Sequence, residues 1–563
     1  MKSPRKAPAP RPLASASPAS EAPANPYYRD PASTALPRRH FLGVLGAASV
    51  WALAGAAAEE TKPVEGKGKG GGKGGKGGGG KGGKGGGGGG GDFVVPADLS
   101  EYNELNVVLG RATDKAITVS LLAKVASEAY LEFGPAPGKY ARKTAVAALV
   151  AGQPTELVLD ELKPNTEYFY RLQSRKPGGT FAARPECRFA TQRAPGSTFS
   201  FTLQGDSHPE RMGKVSHPEL YARTLQLAAA SKPDFHICIG DDFSVDHVRT
   251  VSNEALAAPY LLQRPFLGLI GQTAPVFLMN GNHEQASLYN YSQKDVRREV
   301  AVGVQLARNK FYPTPSAGTF YSGDPTPWKD IGELKSYTAW TWGDALFVIL
   351  DNYWHSPALV DTGYAGEDAN AKPGAGGGKG DKGHDRDWWN ISLGDAQYKW
   401  FKKTLETSKA KHKFVFAHHV MGTGRGGVDQ ADLYEWGGQG GRGGKGEGSF
   451  MQKRPGWDAP VHALMVKHKV SVFFQGHDHL YCKQEKDGVV YQELPMPSDY
   501  TYEALNEERY AGGTKLGNSG YVNVTVSPTE VKVEYVRTYL AKDVTADRKS
   551  GAVAHTYTVK AKA

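Results

Sequence analysis

Five polar clusters along the chain contain residue types that bind metal ions. Each cluster directly follows an apolar run with the character of a β-strand. The clusters lie at residues 205–208, 240–242, 280–284, 417–419 and 475–479. They supply aspartate, asparagine and histidine, whose oxygen and nitrogen atoms suit divalent first-row metals. Metal-assisted hydrolysis is one chemistry that such a group of ligands serves, because two nearby cations can generate a nucleophile from water at neutral pH.

The apolar runs before the clusters predict the strands that position them. The runs lie at residues 199–203, 235–239, 275–279, 414–416 and 470–474, and helix-like segments at 218–230 and 395–405 lie between some of them. Open α/β sheets place ligand-binding residues where their strands end. A single cluster of this kind is usually a turn or a structural histidine, but five in order are not expected by chance. Glycines before the ligands are expected to allow sharp turns.

The ordered motifs G-D-x-H, G-D, G-N-H-E, H-H and G-H-x-H resemble those of the calcineurin-like metallophosphoesterase superfamily. With the region before them, the layout is similar to that of purple acid phosphatases and their bacterial relatives. The resemblance implies an α/β four-layer sandwich of mixed β-sheets flanked by helices. It also implies a metal-dependent phosphoric ester hydrolase with two divalent or mixed-valence metal ions of iron, zinc or manganese. A metal-bridging hydroxide would attack a small phosphate ester, and an acid-phosphatase-like monoesterase is favoured.

The same resemblance assigns ligands to individual residues. The first metal would be held by Asp206, His208 and His479, the second by Asn282, His418 and His477, and both by a bridging Asp241. The family pattern places the ligand first in the H-H pair, which favours His418 over His419.

His283 would face the substrate rather than bind a metal. It would stabilise the transition state and protonate the leaving group. Glu284 would orient it. The alternative is a structural histidine beside the metal ligands.

Two positions depart from the purple acid phosphatase pattern. Ser244 stands where those enzymes have a tyrosine that binds ferric iron, and His208 stands where they have glycine. We therefore expect imidazole in place of phenolate at the first metal and no purple colour. Mixed nitrogen and oxygen ligands suit iron(II), zinc and manganese alike.

Residues 93–195 are predicted to form an all-β sandwich. Short alternating runs separated by turn residues predict about seven strands. One run, residues 117–121, alternates apolar and polar residues and predicts a half-buried strand. Residues 162–172 read L-x-P-x-T-x-Y-x-x-x-L, which resembles the tyrosine corner of a fibronectin type III domain. The hydroxyl of Tyr168 would then bond to nearby backbone.

The first 92 residues differ from the rest in composition. Residues 1–58 resemble a twin-arginine signal peptide with a disordered leader, because Arg38-Arg39 precede an apolar run that ends at Ala56-Ala57-Ala58. Residues 59–92 form a predicted flexible linker, in which 66–91 contain only glycine and lysine. We expect export by the twin-arginine machinery to the periplasm, cell surface or medium.

The apolar run of the leader has an alternative interpretation as an uncleaved membrane anchor, since residues 41–58 are just long enough to span. Its alanines and glycines are weakly hydrophobic, which favours cleavage and a mature chain without a stable membrane span.

The net charge of +10 does not indicate a nucleic-acid partner. Residues 1–92 hold 14 basic and six acidic side chains, so only two net positive charges remain for residues 93–563. Nucleic-acid binding needs a basic surface on the folded part. Three cysteines are also too few for a disulfide framework.

Substrate contacts are predicted near two glycine-rich insertions, residues 374–383 and 422–448, that flank the strand before His418. Arg425 would grip a phosphate oxygen, and Trp436 or Tyr434 would stack on a base or sugar. His247, shortly after Asp241, would also contact phosphate. For Arg425, Tyr434 and Trp436 the alternative is a position on a disordered surface insertion.

The metallophosphoesterase domain is predicted to span residues 196–540. Near its end, residues 521–526 and 531–536 alternate like a hairpin around Ser527-Pro528. Residues 541–563 are predicted to be a C-terminal tail with one possible strand at 553–559.

Three functions are compatible with these observations. The leading one is an exported dinuclear-metal phosphomonoesterase. The second is a phosphodiesterase or an alkaline phosphatase D-like enzyme. Alkaline phosphatase D-like enzymes also combine a twin-arginine leader, a sandwich and this core. Their first metal site, however, normally departs from the D-x-H pattern. The third is a non-catalytic envelope-binding protein with a structural metal site, against which the open two-metal ligand set and His283 argue.

Overall fold

The computed structural model describes residues 103–360, 387–420, 424–440 and 449–562. The predicted leader and linker, the first glycine-rich insertion and part of the second lie outside these residues. Across the ranges that are described, no helix is long and apolar enough to cross a membrane.

The N-terminal part is a β-sandwich, as predicted, and its described residues form nine strands instead of about seven. The strands are β1 (Leu105–Gly110), β2 (Ile117–Ala123), β3 (Ser127–Gly134), β4 (Arg142–Lys143), β5 (Ala147–Leu149), β6 (Pro154–Leu159), β7 (Glu167–Arg175), β8 (Ala182–Ala183) and β9 (Cys187–Ala190). One sheet has the order β1-β2-β6. The other has the order β4-β3-β7-β8, with β5 beside β3 and β9 beside β7.

The tyrosine corner is confirmed. The hydroxyl of Tyr168 accepts a hydrogen bond from the backbone N–H of Lys163 at 2.9 Å. The ring of Tyr168 is buried and stacks on Phe189, with ring centroids 5.5 Å apart. The corner thus joins the chain before β7 to the core of the sandwich.

Tyr168→Phe is expected to lower the free energy of unfolding by about 1 kcal/mol, because the Lys163 N–H loses its acceptor in a partly buried place. Urea unfolding followed by circular dichroism measures the change. Tyr140→Phe is a matched control, since it removes an exposed hydroxyl bond to Glu186 (2.6 Å) that water can replace. Equal losses in the two variants would contradict a special role for the corner.

Most of the remaining strands build two larger sheets, and two short ones pair with each other in a separate sheet. They are β10 (Phe199–Gln204), β11 (His236–Cys238), β12 (Val276–Leu278), β13 (Ser322–Gly323), β14 (Pro327–Trp328), β15 (Gly332–Glu333), β16 (Thr338–Trp342), β17 (Ala345–Ile349), β18 (His412–Phe416), β19 (Val472–Gln475), β20 (Tyr481–Lys486), β21 (Val489–Glu493), β22 (Thr514–Leu516), β23 (Gly520–Val526), β24 (Glu530–Arg537) and β25 (Val553–Lys560). One sheet has the order β12-β11-β10-β23-β24-β25, and the other β13-β16-β17-β18-β19-β21-β20-β22.

The predicted C-terminal hairpin is present as the antiparallel pair β23 and β24. The possible strand in the predicted tail is β25, which pairs with β24 and forms the edge of the first sheet.

Helices cover the outer faces of the two sheets. They are α1 (Pro218–Ala230), α2 (Asn253–Gly271), α3 (Leu288–Tyr291), α4 (Val296–Phe311), α5 (Asp395–Thr407), α6 (Tyr434–Gly437), α7 (Ser449–Lys453) and α8 (Val461–Lys467). Apolar residues of α1, α2 and α4 pack on the six-stranded sheet, and those of α5 and α8 pack on the eight-stranded sheet. Between the sheets, Phe201 contacts Phe347 and Phe414 edge to face at 5.1 and 5.4 Å. The predicted four-layer α/β sandwich is therefore confirmed.

The expectation of a half-buried β2 is wrong, because every residue of this strand is buried. Its second face lies against α2, where the Arg264 guanidinium donates to the Ser120 carbonyl at 3.0 Å and to its hydroxyl at 3.3 Å. Val108 on the neighbouring strand β1 belongs to the same apolar cluster as Leu256 and Leu267 of α2. The alternating pattern thus arises from a polar strand face that meets a helix instead of water.

Candidate metal centre

The seven predicted metal ligands lie together where parallel strands of the two sheets end. Strands β10, β11 and β12 run parallel, as do β17, β18, β19 and β21. Asp206, Asp241 and Asn282 follow the first three strands, and His418 and His477 follow β18 and β19. The two sheets thus face each other with their ligand-bearing ends on the same side of the core.

One group of ligands consists of Asp206, His208 and His479. The His479 Nε2 atom lies 3.1 Å from Asp206 Oδ2 and 3.1 Å from His208 Nε2. The other nitrogen of His208, Nδ1, contacts Glu210 Oε1 at 2.8 Å. A carboxylate on Nδ1 holds the ring orientation and leaves Nε2 for a metal.

A second group contains Asp241, His418 and His477, with Asn282 beside them. The His418 Nδ1–H donates to the Ile239 carbonyl at 3.0 Å, which leaves Nε2 facing Asp241 Oδ2 at 3.3 Å. The Asn282 Oδ1 atom lies 3.0 Å from His477 Nδ1.

Asp241 lies between the two groups. Its Oδ2 atom is 3.3 Å from His418 Nε2 and 3.5 Å from His208 Nε2, while its Oδ1 accepts from the His283 backbone N–H at 2.9 Å. One oxygen of this carboxylate therefore faces both groups of ligands.

The donor atoms fit cations. Asp206 Oδ1, Asp241 Oδ2 and His418 Nε2 are buried and make no hydrogen bond of good geometry among the described residues, although the last two atoms lie 3.3 Å apart. Buried polar atoms are rarely left without a partner in proteins. Two carboxylates and several imidazoles at this spacing are ligands that divalent first-row metals accept.

The electrostatics of the histidines agree with this fit. Burial lowers the pKa of His208 and of His477 well below the usual range, so both rings are neutral and keep a lone pair. Burial by itself would also lower the pKa of His418, but the carboxylates of Asp241 and Asp206 outweigh it and raise this pKa to about 10. The centre thus attracts positive charge.

Four of the seven residues have left-handed backbone conformations. The φ angles are 41° for His208, 58° for Asp241, 77° for His477 and 61° for His479. Such conformations are unfavourable for non-glycine residues and concentrate at functional sites. They turn the chain sharply enough that side chains two positions apart in the sequence converge on the centre.

The predicted turn role holds for Gly240, which has a φ of 112°. A Cβ atom at this position would lie 2.6 Å from the Gly281 nitrogen and 2.8 Å from His418 Nδ1. Gly476 acts differently, because a Cβ there would come within 2.7 Å of Asp206 Oδ1. Glycine is therefore needed at Gly240, where the chain turns sharply, and equally at Gly476, where two loops approach each other closely.

His283 borders the centre. Its Nε2 atom lies 3.9 Å from Asp241 Oδ2, and its Nδ1 is hydrogen-bonded to Asp246. Burial by itself would lower the pKa of His283, but the carboxylates of Asp241 and Asp246 raise it to about 9. The Nη2 atom of Arg211 lies 3.0 Å from His283 Nε2.

The predicted role of Glu284 in orienting His283 is wrong. Its carboxylate accepts backbone N–H groups of Asp241, Asp242 and Phe243 at 2.8–3.1 Å, and that of Gly281 at 2.6 Å. Glu284 therefore holds together the loops that follow β11 and β12. Asp246 is the residue that contacts the ring of His283.

Three residues of the centre were not predicted: Glu210, Arg211 and Asp246. Glu210 and Arg211 directly follow the first ligand cluster, and Asp246 comes five positions after Asp241. Proximity along the chain was the available signal, but it does not indicate which residue each side chain contacts.

The Nδ1 atom of His419 faces residues outside the two ligand groups, while its ring packs against that of His477 with centroids 4.7 Å apart. This Nδ1 atom lies 3.2 Å from Asn352 Nδ2 and 3.2 Å from the Tyr353 hydroxyl, and burial lowers the pKa of His419 to about 3.

The predicted stacking role of Trp436 is wrong. Its ring is fully buried and its Nε1–H donates to the Tyr491 hydroxyl at 3.0 Å. Tyr434 is half-buried and packs against Trp388 and Trp389.

The two predicted phosphate contacts differ in position. Arg425 adjoins the second ligand group, where its Nη1 donates to Asp478 Oδ1 at 3.0 Å and to the His477 carbonyl. His247 is exposed to solvent.

Comparisons with known proteins identify the family and the fold. A family model described as calcineurin-like phosphoesterase matches residues 199–481, half of the chain. A solved structure of PhoD is 15% identical and covers 80% of this chain and 89% of its own, with a TM-score of 0.54. Purple acid phosphatase PPD1 from yellow lupin (Lupinus luteus) seeds is 17% identical and covers 81% of this chain and 74% of its own, with a TM-score of 0.51. At these identities the likeness shows the fold alone. No curated protein matches the chain.

Proposed function

The chain belongs to the calcineurin-like phosphoesterase family, and from this premise we propose that it is an exported phosphomonoesterase that works with two metal ions. The observation that carries the proposal is the convergence of buried, unpartnered donor atoms of Asp206, Asp241 and His418 beside His283. A structural metal site would close around its ion, whereas this centre keeps a titratable side chain at its border.

The chain offers a separate ligand group for each ion. Asp206, His208 and His479 would hold one, Asn282, His418 and His477 would hold the other, and Asp241 would serve both. When bound, two such ions would neutralise the phosphoryl group and supply a hydroxide nucleophile at neutral pH.

The protein's own groups prepare this chemistry. Glu210 and the Ile239 carbonyl hold the rings of His208 and His418 so that Nε2 of each points inward. His283, held by Asp246, would donate a proton from Nε2 to the leaving oxygen.

The monoester is favoured by the β-sandwich that precedes the metal centre, a layout similar to that of purple acid phosphatases. The D-x-H pattern of Asp206 and His208 argues against an alkaline phosphatase D-like enzyme, whose first metal site normally departs from it. Export rests on the twin-arginine sequence of residues 1–58.

The proposal is tested with p-nitrophenyl phosphate and bis(p-nitrophenyl) phosphate. The full chain is stripped with chelator and reloaded separately with zinc, manganese and iron, beside Asn282→Ala. We expect metal-dependent turnover, faster on the monoester, that falls by about 10- to 100-fold or more when one ligand is lost. Faster turnover of the bis-ester would favour the phosphodiesterase. Two bound ions without turnover of either ester would favour the envelope-binding protein.

A further inference from the structure

Arg211 is a cationic side chain that reaches the candidate centre and has no part in holding the metals. It lies at the end of a short turn, Pro209–Arg211, that follows the ligand His208. Its Nη2 atom is 3.0 Å from His283 Nε2, and its side chain remains 31% exposed. The guanidinium therefore lies where solvent, the centre and His283 meet.

The backbone that carries Arg211 is firmly held. The Arg211 carbonyl accepts N–H groups from Lys214, Val215 and Ser216 at 3.1–3.2 Å. His217, which directly follows Ser216, donates its backbone N–H to the Ser498 carbonyl at 2.9 Å. The backbone position from which this guanidinium extends is therefore fixed, and less conformational freedom remains to be lost when a ligand binds.

The charge of Arg211 is less fully matched than that of Arg425. Arg425 Nη1 lies 3.0 Å from Asp478 Oδ1, and Gly426 donates its N–H to the other oxygen of the same carboxylate at 2.9 Å. Arg211 has the carboxylate of Glu210 at 3.5 Å, but Glu210 is shared with His208 Nδ1 at 2.8 Å. Arg211 is therefore the better placed of the two for an external anion.

The position of Arg211 relative to the centre has a chemical consequence. A guanidinium has only donors, and that of Arg211 lies beside His283 Nε2, the ring atom that is 3.9 Å from Asp241 Oδ2. A phosphoryl group at the centre would place an oxygen within reach of this guanidinium, which pairs well with phosphate oxygens.

We propose that Arg211 binds a non-bridging phosphoryl oxygen of the substrate and thereby selects phosphate monoesters over diesters. This inference rests on the proposed function. A monoester has three non-bridging oxygens, so one remains for Arg211 when the others face the metal ligands. In a diester one of these oxygens carries a second ester group, which would be directed against the guanidinium.

Inorganic phosphate is the probe for this inference, because its binding needs no turnover. Calorimetry of the metal-loaded full chain is expected to give a Kd about 10- to 100-fold higher for Arg211→Met than for the wild type. Arg211→Lys should lie between them, because an ammonium keeps the charge but loses the planar fork. Arg223→Met is the matched control, since Arg223 lies on α1 and faces Glu219 at 3.9 Å. Metal content and melting temperature establish that each variant is folded.

The ester assay adds a second test. Arg211→Met should lose most of its kcat/KM on p-nitrophenyl phosphate, chiefly through a higher KM, and change on bis(p-nitrophenyl) phosphate by less than about threefold. An unchanged phosphate Kd in the folded variant would overturn the inference, as would equal losses on the two esters. A wild type that binds phosphate through Arg211 but hydrolyses neither ester would contradict the proposed function and support the anion contact.

Discussion

Asp241→Asn is expected to lower turnover by about 1000-fold or more and to reduce the number of metal ions bound per chain. Asp241 Oδ2 faces His418 and His208 at 3.3 and 3.5 Å, so it joins both ligand groups. An amide of the same shape removes its negative charge from a buried place where charge interactions are strong. Metal analysis after dialysis and the p-nitrophenyl phosphate assay measure the two effects.

Asp242→Asn is a control at the neighbouring position. Burial raises the pKa of Asp242 well above its usual range, so this carboxyl is protonated and an amide changes its charge little. Its Oδ1 already accepts from Gln204 Nε2 at 2.7 Å, and an amide oxygen can do the same. We expect Asp242→Asn to keep two metals and most of the activity. Similar losses in the two variants would mean that packing, not the Asp241 charge, maintains the centre.

His283→Ala is expected to lower kcat by about 100- to 10,000-fold while metal content stays at the wild-type value. His283 is 3.9 Å from Asp241 Oδ2 but belongs with the proposed proton donors and not with the proposed metal ligands. Asp246→Asn should show a smaller loss in the same direction, because the ring keeps a neighbour but loses the carboxylate that holds Nδ1.

The leaving group distinguishes proton donation from a structural role. p-Nitrophenolate leaves without a proton, whereas an alkoxide needs one. The loss in His283→Ala should therefore be several-fold larger on glycerol phosphate than on p-nitrophenyl phosphate. Equal losses on the two substrates, or a loss of metal, would show that His283 acts through the structure of the centre.

The strands and ligand types were predictable from sequence because they depend on local patterns. An apolar run predicts a buried strand, and a polar cluster behind it predicts the loop at the strand end. The strand and helix positions near residues 199–203, 218–230 and 521–536 were therefore correct. The order of the clusters was enough to indicate the family and its fold.

The partners of individual side chains depended on the tertiary structure. Asp241 and Asp242 are the same residue type in adjacent positions, yet one faces the imidazoles and the other lies against Gln204. Glu284 was expected to orient His283. The loop after β11 instead comes close enough that the backbone N–H groups of this loop donate hydrogen bonds to the Glu284 carboxylate.

What the sequence by itself determined is therefore the fold class, the order of the strands along the chain and the residue types of the centre. Only the tertiary structure decided that β2 is buried on both faces, that Asp246 contacts His283 and that Arg211 faces the same ring. The physical reason is distance along the chain. His208 and His479 are 271 positions apart and meet because two sheets pack face to face, and no local pattern records which loops that packing brings together.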